Sequence, residues 1–410
     1  MKIAHVMRRL SFDDWGGTEQ VVRNLALAQL KAGHEVRIFA TNALCATPHE
    51  VVEGLEIFRF KPIYPWWPMP KRIVDELDRK GGNPFVPGLG RALRDWKPDV
   101  IHCHAMARIA ELCLRVGKRE TAAAKAMAVE SGNGERGIRC VISLHGGGAN
   151  VPTVEAKSLK APTRGRLPWG KMIDYAMGWT RRIPEDFDGI VCVGEDEFEH
   201  YRAVHKHVLR LPCGVDTAIF EGGKAEERKG GNLVLCVARI DRQKNQMMLV
   251  EWLGRHPEAT VRLVGPVTQP DYRDELVARA AALGVTDRLV FVGSLKPGSA
   301  ELVQEYRRAD VFVLPSRHEP FGTVVLEAWA TGLPVIASNV SGLGRLCAEN
   351  SNAALTFEPN DSAGLEAALE KVFRDAPLRA SMSVAARQAA SFYNWSNLSS
   401  RLLGFYDELC

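Results

Sequence analysis

Two stretches of the chain combine residue types that suit a phosphorylated, polyhydroxylated ligand. In HEPFGTVVLEAWATGLPVIAS, following the apolar run ADVFVLP, Pro320 fits the first position of a helix expected to run to Gly332. That places Glu319 at a strand-to-helix turn, with Glu327 roughly 11 Å further on at the helical rise of ~1.5 Å per residue. Two carboxylates so spaced can accept hydrogen bonds from both ends of one elongated polyol. The helix start at Phe321, Gly322 and Thr323 offers unpaired N–H groups and a positive dipole end, a seat for phosphate. In LVLCVARIDRQKN, Arg239 and Lys244 leave a strand end five residues apart. The planar guanidinium fork and the compact ammonium together can neutralise a diphosphate. Either cation alone reads equally well as an ordinary surface charge.

Short Val/Ile-rich runs must position these residues. KIAHVM, HEVRIFA, DVIHCH, RCVISLH and DGIVCVG occupy the first half; NLVLCVARI, ATVRLVG, DRLVFVG, ADVFVLP and LPVIAS occupy the second. Each is followed by a longer segment of helical spacing, such as that from about Thr18 to Lys31, the pattern of βαβ units. The expected fold class is α/β: two doubly wound, Rossmann-like parallel sheets, with ligands at the strand carboxyl ends and in a cleft between the sheets. Hydrophobic periodicity lapses in EGGKAEERKGG, so the division is expected as residues 1–220, 221–390 and a C-terminal helix, 391–410, crossing back to the first domain. Residues 118–137 and 151–171 read as mobile loops. KPIYPWWPMPKR, residues 61–72, reads as an acceptor or membrane contact, or as a loop folded on its own domain.

Bulk composition narrows the class without naming a chemistry. A length of 410 residues suits two cores, and 46% hydrophobic with 25% charged residues excludes disordered and membrane-spanning classes. No run of 18 apolar residues occurs, and MKIAHVMRRLSF lacks a long apolar segment, so the expectation is a cytoplasmic protein, at most peripheral at the inner membrane face. Nine cysteines without a CxxC pair argue for reduced thiols rather than a disulfide framework or zinc ribbon. Residues 1–185 carry 29 Lys and Arg against 19 Asp and Glu; residues 186–410 carry 24 against 30. The basic first half favours an anionic partner such as a lipid-linked or phosphorylated acceptor, although scattered solvated charge explains it as well. Nucleic acid is not expected.

The order of GGTE near the N-terminus, a His-Gly strand end, CVARIDRQKN, and Glu-x7-Glu within HEPFGTVVLEAWATGLP resembles the family 4 retaining glycosyltransferases of GT-B fold. The resemblance covers nearly the whole chain and is most specific in the second half. It implies that Arg239 and Lys244 bind the donor diphosphate, Glu327 the ribose, and Glu319 the transferred hexose, with Phe321, Gly322 and Thr323 lining the same turn. It places the nucleobase near Ser294 and Leu295, and the phosphates near the backbone of Gly16 and Gly17. His145 falls at the sugar's reacting face and His104 on the acceptor side, although a strand-end histidine is more often structural. His102, Cys103 and His104 lack the further regularly spaced ligands that a metal site needs. One departure is Ser341-Gly342-Leu343-Gly344-Arg345, where family members often carry Gly-Gly-x-x-Glu, so Arg345 replaces an acid.

The resemblance implies transfer of a hexose from a nucleotide-diphosphate sugar, UDP- or GDP-linked, to a hydroxyl. Configuration would be retained and no metal or other cofactor needed, Arg239, Lys244, Glu319 and His145 forming the catalytic set. The alternatives are a sugar-nucleotide epimerase or hydrolase of the same fold, and a non-catalytic sugar-nucleotide-binding subunit. A dinucleotide oxidoreductase is disfavoured, because the first strand leads to GGTE and not GxGxxG.

Overall fold

The computed structural model describes residues 1–11, 17–80, 82–131, 137–145, 167–176, 184–220 and 232–409. The expected linker at 221–231 and Gly16 lie outside the described residues, as does most of the insert at 151–171. The chain forms two compact units, Met1–Pro212 with Trp395–Cys410, and Cys213–Asn394.

The first unit is built on an eight-stranded sheet. Its strands are β1 (Lys2–Arg9), β2 (Glu35–Thr41), β3 (His49–Val52), β4 (Leu55–Phe60), β5 (Val100–Cys103), β6 (Arg139–Leu144), β7 (Gly189–Cys192) and β8 (Val208–Arg210). They run in the order β3-β4-β2-β1-β5-β6-β7-β8, all neighbours parallel except β3 against β4. This edge hairpin is the one antiparallel pair in a sheet that is otherwise parallel, as the βαβ pattern leads one to expect. Its turn residues Glu53 and Gly54 both have positive φ, the geometry whose twist matches paired antiparallel strands. β5 and β6 are buried along their whole length, as continuous apolar runs in a sheet covered on both faces must be.

The Ala-rich stretch after Lys118 is not a loop: the helix Arg108–Ser131 runs through it, in keeping with alanine's helix propensity. The C-terminal helix Trp395–Glu408 packs on the helix Gly17–Lys31. Segment 61–72 divides. Tyr64 is buried and donates to Asp78, while Trp67 is 67% exposed and exchanges backbone hydrogen bonds with Leu167.

The second unit has six parallel strands, β9 (Leu233–Val237), β10 (Thr260–Val264), β11 (Leu289–Gly293), β12 (Val311–Leu314), β13 (Val335–Ser338) and β14 (Ala354–Phe357). Their order is β11-β10-β9-β12-β13-β14. The chain therefore reverses direction across the sheet between β9 and β12, and doubly wound sheets bind ligands at the strand carboxyl ends of such a switch point. Trp252 and Trp329 fill the two apolar layers on either side of this sheet.

Candidate functional site

Arg239 and Lys244 follow β9, and Glu319 follows its neighbour β12, so both polar segments emerge at the switch point. Lys244 Nζ donates to Glu319 Oε2 at 2.6 Å, and both side chains are largely buried. An ammonium has three donors, and this pairing occupies one of them. Arg239 is half exposed and reaches Asp241 at 3.4 Å. Asp241, an ordinary acid in the sequence, is buried and takes hydrogen bonds from the Lys244 amide and the Thr268 hydroxyl. It shapes the turn that presents both cations. Gln243 ties that turn to the next, its carbonyl accepting from the Arg317 amide and its side chain donating to the His318 carbonyl.

The helix after β12 begins later than expected, spanning Thr323–Ala330 with Gly322 as its N-cap. Gly322 has φ 86°, which closes the start of the helix at that residue and leaves Glu319 and Pro320 in the preceding loop. The helical-rise spacing between Glu319 and Glu327 therefore does not apply. Phe321 is half-buried against Tyr393, and Thr323 is half-buried at the first position of the helix. Glu327 lies inside the helix, buried, accepting from the Tyr306 hydroxyl at 2.7 Å. Burial pushes its carboxyl up to about 7, and the Tyr306 hydrogen bond opposes that rise. Tyr306 sits in the helix Ala300–Arg308, with no motif that could have marked it in the sequence.

Ser294 is exposed and Leu295 half-buried, just past β11. The segment Ser341–Glu349 is a helix, in which Arg345 pairs with Glu349 at 3.5 Å. A Cβ on Gly342 would stand 1.8 Å from the Pro320 carbonyl oxygen, so glycine there is required by the fold itself.

In the first unit, Gly17 opens the helix Gly17–Lys31, and a Cβ there would meet nothing within 4 Å among the described residues. Glu19 is buried and holds Arg9 at 3.4 Å. A cavity of about 640 Å³ is lined by Thr18, His104, His145, Glu197, His200 and Tyr201. Glu197, His200 and Tyr201 come from the helix Glu195–Arg202, whose sequence EDEFEHYR carries no motif that marks a site.

Behind this cavity His5, His102 and His104 bring ring nitrogens within 4.8 Å of one another, a grouping hidden from the sequence because His5 lies on β1 and the others on or beside β5. Their nitrogens are engaged. His5 Nδ1 meets His104 Nε2 at 2.9 Å and His5 Nε2 meets Gln29 Oε1 at 2.7 Å. His102 lies between the Tyr406 and Ser143 hydroxyls, and His104 Nδ1 meets His145 Nε2 at 3.0 Å. Burial lowers all four rings, His5 and His145 to about 4 and His102 and His104 well below the usual range. The eight cysteines among the described residues are all free.

Two parallel-sheet α/β units, with cationic and carboxylate side chains at the strand ends of the second, define a doubly wound α/β class of fold. Residues 15–219 match the model of Glycosyltransferase Family 4, and residues 220–389 match Glycosyl transferases group 1. The chain belongs to glycosyltransferase family 4. It is 35% identical over 226 residues to D-inositol 3-phosphate glycosyltransferase of Acidothermus cellulolyticus, covering 50% of this chain and 49% of that protein. The match thus spans about half the length of that curated relative. Among solved structures, sucrose-phosphate synthase from Thermosynechococcus elongatus superposes with a TM-score of 0.66 at 21% identity, over 100% of this chain and 98% of that one. Anabaena HepE, solved in complex with UDP, superposes with a TM-score of 0.67 at 16% identity, over 100% of both chains. The fold is GT-B.

Proposed function

We propose that the protein transfers a hexose from a nucleoside-diphosphate sugar to an acceptor hydroxyl with retention of configuration. The observation that carries this reading is the Lys244–Glu319 pair at the switch point of the second unit, with Arg239 beside it. Lys244, held by Glu319, keeps two N–H donors for the diphosphate, and Arg239 adds its fork. As the glycosidic bond breaks, negative charge grows on the leaving phosphate, and preorganised cations stabilise that change more than they stabilise the ground state. The Glu319 oxygen not bonded to Lys244 accepts from hexose hydroxyls, and Glu327 accepts from the ribose. Ser294 and Leu295 border the base, and Phe321, Gly322 and Thr323 line the hexose turn. Gly17, whose lack of a side chain no described neighbour explains, leaves its amide open to an anion.

The first-unit cavity takes the acceptor, with His104 in its wall and His145 touching the reacting sugar. Exposed Trp67, Leu167 and Tyr175, with Lys71, Arg72 and Lys171 close by in sequence, suit an acceptor carried on an anionic lipid surface. The UDP bound to the HepE structure favours a uridine donor here as well. Charge stabilisation by side chains removes the need for a metal.

The test is turnover of UDP- and GDP-hexoses against polyol, phosphorylated and lipid-linked acceptors, in excess EDTA, with the product anomer read by NMR. An inverted product, donor hydrolysis at full rate without acceptor, or complete loss of turnover in EDTA would each overturn the corresponding part. Co-sedimentation with anionic vesicles at low salt tests the lipid surface, and no binding removes it.

A further inference from the structure

We infer that Gln29, a residue remote from the cavity, is a positioning residue that fixes which nitrogen of His145 carries its proton, through an unbroken chain of imidazoles. The inference rests on the reading of His145 as a group that touches the sugar. The chain runs Gln29 Oε1 to His5 Nε2 at 2.7 Å, His5 Nδ1 to His104 Nε2 at 2.9 Å, and His104 Nδ1 to His145 Nε2 at 3.0 Å. Gln29 and His5 have no exposed surface, and His104 is buried.

Each ring is neutral near pH 7, because burial lowers His5 and His145 to about 4 and His104 further. A neutral imidazole has one donor nitrogen and one acceptor nitrogen, so fixing one end of the chain fixes every ring along it. The Gln29 carbonyl oxygen only accepts; His5 must therefore donate from Nε2 and accept at Nδ1. His104 then donates from Nε2 to His5 and accepts at Nδ1, and His145 donates from Nε2 to His104. His145 Nδ1 is left as a bare lone pair, the nitrogen available to a hydroxyl of the bound sugar in the cavity that His145 lines.

The orientation of the Gln29 amide sets the direction of the whole chain. Its nitrogen meets no acceptor at hydrogen-bond distance among the described residues. His102 stands apart from the chain, held by the Tyr406 and Ser143 hydroxyls. The three clustered histidines are thus read as hydrogen-bonded partners and not as metal ligands.

The experiment is a long-range proton–nitrogen correlation spectrum of the full chain labelled with 15N-histidine, without ligand, near pH 7.5. The expected result is a protonated Nε2 and a bare Nδ1 on His5, His104 and His145, assigned by single His→Asn variants. A protonated Nδ1 on any of the three overturns the inference. Gln29→Leu removes the acceptor and leaves a buried N–H without a partner, so the pattern shifts toward protonated Nδ1 on His145. The kcat then falls about tenfold, the worth of one hydrogen bond, with donor KM nearly unchanged. Gln29→Glu keeps the acceptor and keeps the pattern. An unchanged His145 tautomer in Gln29→Leu overturns the coupling; should that variant fail to fold, the unsubstituted spectrum and Gln29→Glu still decide. Uptake of one equivalent of zinc with shifts at His5, His102 and His104 would also overturn it, since the nitrogens would be ligands. A spectrum as expected in a protein that turns over no sugar nucleotide would sink the functional reading and leave the tautomer chain standing.

Discussion

Lys244 Nζ and Glu319 Oε2 lie 2.6 Å apart, although 75 residues separate them in the chain. Adjacent parallel strands bring them together, and their near-complete burial makes each the other's principal counter-charge. Removing either one leaves a charge with no partner in a poorly solvated place.

Lys244→Ala is expected to lower kcat by about 10²–10³-fold, the usual cost of losing one donor that stabilises transition-state charge. Donor KM should change less. Steady-state kinetics of Lys244→Ala, Glu319→Gln and the double variant test this. The two effects should be strongly non-additive because the groups share one contact. A Lys244→Ala enzyme with near-normal kcat would remove Lys244 from the mechanism.

If Glu327 holds the ribose as proposed, nucleotide binding is expected to depend on pH. A carboxylate accepting from ribose hydroxyls must be ionised, and burial holds this one at about 7 in the free protein. UDP affinity should therefore rise by up to about tenfold per pH unit below that value and flatten above it. Tyr306→Phe removes the hydrogen bond that opposes the shift, so the flattening moves to higher pH. Titration calorimetry between pH 5.5 and 8 measures both, and Glu327→Gln should abolish the slope.

The four buried histidines of the first unit and Glu327 of the second carry opposite stability signatures in acid. His5, His102, His104 and His145 have folded values below the unfolded one near 6.5, so the unfolded chain binds protons first and the first unit loses stability as pH falls from about 6.5 to 4. Glu327 is raised, so the folded state holds its proton longer, and the second unit loses its contribution as pH rises from about 4.5 to 7. Hydrogen exchange compared between β5 and β12 over that range reads the two signs. Parallel trends would contradict the histidine account.

Gly342→Ala sets a methyl 1.8 Å from the Pro320 carbonyl oxygen, an approach that only backbone movement can relieve. Overpacking of this kind costs about 1–3 kcal/mol. The loop carrying Glu319 must shift, because the Leu343 amide donates to the Glu319 carbonyl. Lower Tm and weaker donor binding together are expected from thermal melts and calorimetry; a variant with unchanged Tm would refute the steric argument.

Much of the second unit was legible because its signals are local. β9 to β13 are short apolar runs bounded by turn residues, and Arg239, Lys244, Glu319 and Glu327 fall within two compact motifs. The N-terminal end of the helix at Thr323 was not legible, since Pro320 is as good a start by propensity as Thr323. The positive φ of Gly322 chose between them. β3, β4, β8 and β14 are not legible because they are only partly buried, so their sequences lack the continuous apolar runs of the equally short β5, β7, β12 and β13.

The sequence alone determined the alternation of strands and helices, the identity of the cationic and acidic groups, and the family resemblance, because each depends on neighbours within one or two turns of chain. Tertiary structure alone decided that Lys244 pairs with Glu319, that Tyr306 caps Glu327, and that Gln29, His5, His104 and His145 form one hydrogen-bonded line. Those partners come from different strands and helices. Which side chains meet across a sheet is set by strand order and register, and neither can be read from a single strand.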